Sequence, residues 1–228
     1  MMTKPSTSMR RRVIRFCCLI SLWSSCLNFS GCAQFVILSY LLHGPPSIEP
    51  DFDAETGESM IDPDKKVAVV CYAPTELKWK FPQIDDQVAT AVALRLHENH
   101  ITVIAPDYVK AWVDQNPDWE RASEIGKAFD ADYVIEIELA AFSLFEGTST
   151  TLYRGRTEAY VHVVQMEAGT GDRIFSKEID FVFPTRVPRQ SSDLPLNAFQ
   201  REYLSRLSER IGFLFYDRFH GDMIPWAT

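Results

Sequence analysis

The first 31 residues contain five basic residues (Lys4, Arg10, Arg11, Arg12 and Arg15) and no acid, and residues 16–42 then run for 27 residues without a charge. No soluble core accommodates such a segment easily. A basic start followed by an apolar stretch is what the secretory machinery reads, because the arginines stay on the cytoplasmic side while the apolar part enters the bilayer. The rest of the chain is therefore expected outside the cytoplasm. The net charge of −8 is set by 31 acidic against 23 basic residues, whereas a nucleic-acid binder needs a basic face. No nucleic-acid partner is expected.

Within the uncharged run, Leu27-Asn28-Phe29-Ser30-Gly31-Cys32 resembles the lipobox of bacterial lipoproteins. Small Ser30 and Gly31 suit a narrow peptidase site, and the resemblance implies that the Cys32 thiol carries the lipid. Family members usually have Leu three residues before the cysteine, where this chain has Phe29. The competing reading is an uncleaved span, since about 20 apolar residues cross a bilayer and Phe35–Leu42 continues apolar beyond Cys32. Either reading makes membrane lipid a partner through the amino terminus.

Cleavage before Cys32 would leave 31 acids against 18 bases, a net charge of −13, and would discard Cys17, Cys18 and Cys26. Cys71 then lies alone in the apolar run Val67–Tyr72 and reads as a small core residue. With no Cys-x-x-Cys spacing, neither a zinc ribbon nor a thioredoxin-type site is supported. Residues 44–64 hold four prolines, seven acids and no base, which predicts a semi-extended, self-repelling tether. The expected organisation is a signal peptide over 1–31, an anchor and acidic tether over 32–64, a globular domain over 65–220 and a tail over 221–228.

Valine-rich 67–72 predicts a buried strand. Ile84, Val88, Val92 and Leu96 predict a helix ending near Asn99, with Asp85 and Asp86 complementing its dipole. Ile101–Ile104 predicts a second strand, Pro106–Val113 a short helix, and Asn116-Pro117 the start of another helix reaching Phe129. Period-two alternation comes next in residues 135–139, 156–163 and 173–183, with a turn at Gly169–Asp172, and Phe199, Tyr203, Leu207, Ile211 and Leu214 predict a long final helix. The fold class is α/β, a single mixed β-sheet in the order β-α-β-α-α-β-β-β-α with helices packed mainly on one face, preceded by the signal peptide and the acidic, proline-rich tether.

Ser123–Ile135, where a helix steps through Ala131-Asp132-Tyr133 into a strand, and Glu167–Phe175 with its Gly169-Thr170-Gly171 turn resemble the superfamily of bacterial envelope proteins that includes the curli secretion lipoprotein CsgG, the penicillin-binding-protein activator LpoB and the amino-terminal domain of TolB. The likeness covers residues 66–218. It implies a non-enzymatic assembly, secretion or regulatory lipoprotein of the cell envelope, with no catalytic residues or cofactor to carry over. The loops at 145–151 and 182–196 show no bilayer-length alternating extensions, so a pore is not expected.

The residues themselves support no enzyme. His97 and His100 flank a helix end and lack metal-site spacing; Gly147-Thr148-Ser149-Thr150 is not a nucleophile elbow; Gly169–Asp172 precedes no helix that could bind phosphate. Arg154, Arg156, Glu136, Glu138 and Glu158 are expected to form cross-strand ion pairs. One feature stands out. Lys78-Trp79-Lys80-Phe81 reads as an aromatic, cationic loop bounded by Pro74 and Pro82 on an otherwise acidic domain, with Tyr153-Arg154 as a similar pair. These four residues are the candidate contact for an envelope protein. The alternative function is a self-assembling ring subunit joined through the sheet edge and held by an uncleaved span.

Overall fold

A computed structural model describes residues 47–167 and 169–219. Cys32, the expected signal peptide, the alternative span over 16–42 and the expected tail over 221–228 lie outside the described residues. Among the described residues no helix is long and apolar enough to cross a membrane.

The element order is β1 (Ser47–Ile48), α1 (Asp51–Thr56), β2 (Val67–Tyr72), α2 (Thr75–Lys80), α3 (Ile84–Glu98), α4 (Pro106–Gln115), α5 (Ala122–Phe129), β3 (Tyr133–Phe145), β4 (Leu152–Glu167), β5 (Thr170–Phe183), β6 (Arg189–Gln190), α6 (Leu196–Gly212) and β7 (Arg218–Phe219). The α/β class and the mixed sheet are as expected. Strands β2-β3-β4-β5 lie side by side, with β2 parallel to β3, the other neighbours antiparallel and β6 added to β4.

Alternation decides what each face meets. Val67, Val69 and Cys71 of β2, Ile135 and Ile137 of β3, Val161 and Val163 of β4 and Phe181 and Phe183 of β5 enter one large core beneath α3 and α6. Ala68, Val70, Val134 and Val164 face the other way, into a small core closed by Val109 of α4 and Ile125 of α5. The two long helices thus share one face, and α4 and α5 cover only one end of the other. Cys71 is buried in the large core, and burial pushes its thiol well above the ordinary value.

In the middle of the large core Tyr203 of α6 crosses Gly155 of β4. Its hydroxyl is 2.7 Å from Thr157 Oγ1 and donates to the Phe181 carbonyl at 3.2 Å. A Cβ on Gly155 would come within 2.1 Å of the Tyr203 ring, so the strand needs glycine there for the approach.

The structure departs from the sequence reading in four places. The tether is the first. Residues 47–64 belong to the globular unit: Phe52 of α1 is fully buried, with ring centroids 5.9 Å from Tyr133, 5.6 Å from Phe175 and 5.9 Å from Phe215, and Met60 is also fully buried. Two apolar pins outweigh an acid-rich average, and three of the acids find basic partners. Lys177 pairs with Asp51 at 3.0 Å and Glu55 at 2.8 Å. Lys65 pairs with Glu58 at 2.8 Å and donates to the Tyr133 hydroxyl, which donates to Glu58 at 3.0 Å. These hydrogen bonds hold the Glu58 carboxyl below its usual range and raise Lys65.

Second, Ile101–Ile104 forms only an isolated bridge between Val103 and Val67, because Pro106 begins α4 two residues later. Third, α5 starts at Ala122 rather than at Pro117. The Glu124 carboxylate accepts from the Glu120 and Arg121 N–H groups and caps the helix there, while the Asn116 side chain donates back to the Trp112 carbonyl and closes α4. Fourth, Thr75–Lys80, expected as loop, is the short helix α2.

Candidate functional site: the α2 aromatic and the open sheet face

Helix α2 follows Pro74 and is fastened from below by Leu77, which packs at the margin of the large core. A helix separates neighbouring side chains by about 100°, so Trp79 and Phe81 cannot share a surface. Phe81 turns inward, its ring 4.9 Å from Phe142 in an edge-on contact. Trp79 turns outward and is 78% exposed, the most exposed large apolar side chain among the described residues. Lys78 is held by Asp85 of α3, and Lys80 is exposed. The predicted foursome is therefore split into one projecting indole with a cation beside it and a half-buried support. Tyr153-Arg154 is no second pair. Tyr153 stacks on Phe199 at 5.3 Å inside the core, and Arg154 is taken by Glu146 at 2.9 Å and the Arg186 carbonyl at 2.9 Å.

Asp85 and Asp86, expected to act on the helix dipole, also bind neighbouring helices through Lys78 and Lys110. His97 lies in the last turn of α3, whose end is closed by Asn99 donating to the Arg95 carbonyl at 2.8 Å, and His100 sits beyond it at φ 67°. The outer sides of α3 and α6 bound a groove of about 800 Å³ bridged at its floor by Gln200 to Gln87 at 2.8 Å and Arg95 to Ser205 at 3.3 Å.

The second surface is the part of the sheet that α4 and α5 leave uncovered. Ion pairs occur there with partners other than those expected: Arg154 and Arg156 converge on Glu146, and Glu136 pairs with Arg173 at 3.5 Å. Sequence alternation places residues on a face but not opposite one another; register does that. Burial, then the neighbouring Glu138, push the Glu136 carboxyl up. His162 is nearly covered, stacked parallel to Tyr160 at 6.4 Å with Nδ1 2.9 Å from Ser176 Oγ, and burial lowers its proton affinity. Sequence inspection missed Tyr72 and Tyr160, which project from this face; period-two alternation is the signal that points them outward.

These features define a mixed α/β domain offering the projecting Trp79 on α2 and an open, acidic sheet face. No protein-family model matches the chain, and a search of curated proteins finds no significant match. Solved structures to which it is similar include the PelC dodecamer of Paraburkholderia phytofirmans (13% identity, TM-score 0.41, 67% of this chain and 90% of that one) and the lipoprotein GNA1162 of Neisseria meningitidis (15%, 0.38, 64% and 97%). The DUF330-family protein XCC0632 of Xanthomonas campestris is similar at 10% identity and TM-score 0.43, over 68% of this chain and 88% of that one.

Proposed function

We propose that the chain is a lipid-anchored, extracytoplasmic and non-enzymatic accessory protein that binds another cell-envelope protein through Trp79. The exposure of that indole carries the reading. A tryptophan held 78% in solvent on a helix whose other apolar residues are used by the core costs hydration without contributing to the fold. The basic start and the Leu27–Cys32 motif support export and an anchor on Cys32, on the extracytoplasmic (periplasmic) face of a bacterial membrane.

Two measurements test it. Metabolic labelling with a fatty-acid analogue should mark the wild type and not Cys32→Ala; equal labelling of both sinks the anchor. A photo-crosslinking amino acid at position 79 should trap one discrete envelope protein in intact cells, and a position on the exposed surface of α5, such as 127, should not. Trapping of copies of the same chain would support instead the ring subunit, for which the outer edge of β5, without a strand partner among the described residues, is the favouring observation.

A further inference from the structure

The uncovered sheet face carries charge that the fold does not use. In register, Glu138 of β3, Tyr160 of β4 and Glu178 of β5 form one row, extended at the sheet edge by Tyr72 opposite Glu138. The adjacent row is Ala141, Glu158 and Asp180. Tyr160 is 41% exposed and Tyr72 52% exposed. Glu138, Glu158, Glu178 and Asp180 have no ion-pair partner among the described residues, since the nearby Arg156 and Arg173 are taken by Glu146 and Glu136. Glu158 stands directly opposite Asp180, and like charges so placed weaken a sheet. Four free carboxylates thus surround one tyrosine on a surface about 10 Å across from Tyr72 to Tyr160, two strand spacings.

We infer that this face docks a cationic segment of a partner protein, whose Lys or Arg side chains sit between these carboxylates and against the Tyr160 and Tyr72 rings. Carboxylates supply complementary charge and the rings supply cation–π contact, which together recognise a flexible basic side chain. A second copy would bring the same four carboxylates against one another. Anionic lipid or nucleic-acid phosphate would meet the same repulsion. The inference deepens the partner-binding reading but uses a surface separate from Trp79, so each can fail alone.

The test titrates the purified full-length protein in detergent with a fluorescein-labelled lysine–alanine repeat peptide. Wild type should bind it, and the double variant Glu158→Gln/Asp180→Asn should bind roughly tenfold or more weakly while melting no lower than wild type. The control Asp118→Asn/Glu120→Gln removes the same charge from an exposed loop and should stay within about twofold, as expected for a distant exposed charge. Trp79→Ala should bind the peptide like wild type. Equal weakening by the control, undiminished binding by Glu158→Gln/Asp180→Asn, or no binding by wild type would overturn the inference. So would full displacement of the peptide by magnesium or spermidine at matched ionic strength, which would mean a small-cation surface instead.

Discussion

The two faces of the central sheet are built from the same strands and obey opposite rules. On the covered face most of the alternate residues are apolar and aromatic rings interlock, as with Phe52, Phe175 and Phe215 or Phe142 and Tyr203. Its few polar groups are matched, as the Tyr203 hydroxyl is by Thr157 and the Phe181 carbonyl. On the open face, acids stand opposite acids and a tyrosine is left in solvent. The difference separates what holds the domain together from what it presents to others.

The sharpest way to break this contrast is at the buried side. Phe52→Ala should cost about 3–5 kcal/mol in urea denaturation, as removal of a fully buried phenylalanine does. A loss under about 1 kcal/mol would return the 47–64 arm to the status of a tether. Tyr203→Phe keeps the ring and removes the hydroxyl, so about 1–2 kcal/mol should be lost by the same assay; no change would mean that the Thr157 contact is not used.

Two carboxylates should respond to pH with opposite signs. Glu58 is held below its ordinary range by Lys65 and Tyr133, so its contribution is present above the unfolded value and lost as pH falls through the folded one. Glu58→Gln should therefore lower Tm at neutral pH, and the deficit should close in acid. Glu136 is pushed up by burial and Glu138, so ionising it costs stability. Glu136→Gln should gain on wild type as pH rises from the unfolded carboxylate value through the raised one, and parallel pH profiles for the two variants would refute the contrast. A smaller effect is expected for Glu158→Gln, which relieves the repulsion from Asp180 and should stabilise by about 0.2–1 kcal/mol. Trp79→Ala should change stability least, within about 0.5 kcal/mol, because the indole meets water.

Long periodic segments were legible. Val67–Tyr72 is the buried strand its valines predict, the four-residue spacing from Ile84 to Leu96 is α3, and Phe199 to Ile211 is the buried stripe of α6. Short segments were not, because single residues decided them against the local average. Phe52 and Met60 draw an acid-rich stretch into the core, and Glu124 places the start of α5 five residues past the proline expected to open it. Gly155 has no evident purpose until Tyr203 is seen to cross it. Of the candidate contact residues, Trp79 is accessible, whereas Phe81, just past the end of α2, leaves the shared surface to pack against Phe142.

The sequence by itself determined the basic, acid-free start with its uncharged run, the acidic balance of the chain, the α/β class and the alternation that makes one sheet face apolar and the other wet. These depend on composition and on periods along the chain, which need no partner from elsewhere. Tertiary structure alone decided that residues 47–64 belong to the domain, that Arg154 and Arg156 meet Glu146, and that Glu138, Glu158, Glu178 and Asp180 gather around Tyr160. Each of those depends on register between strands or on contacts between residues far apart in the chain. A local pattern carries no record of its distant neighbour.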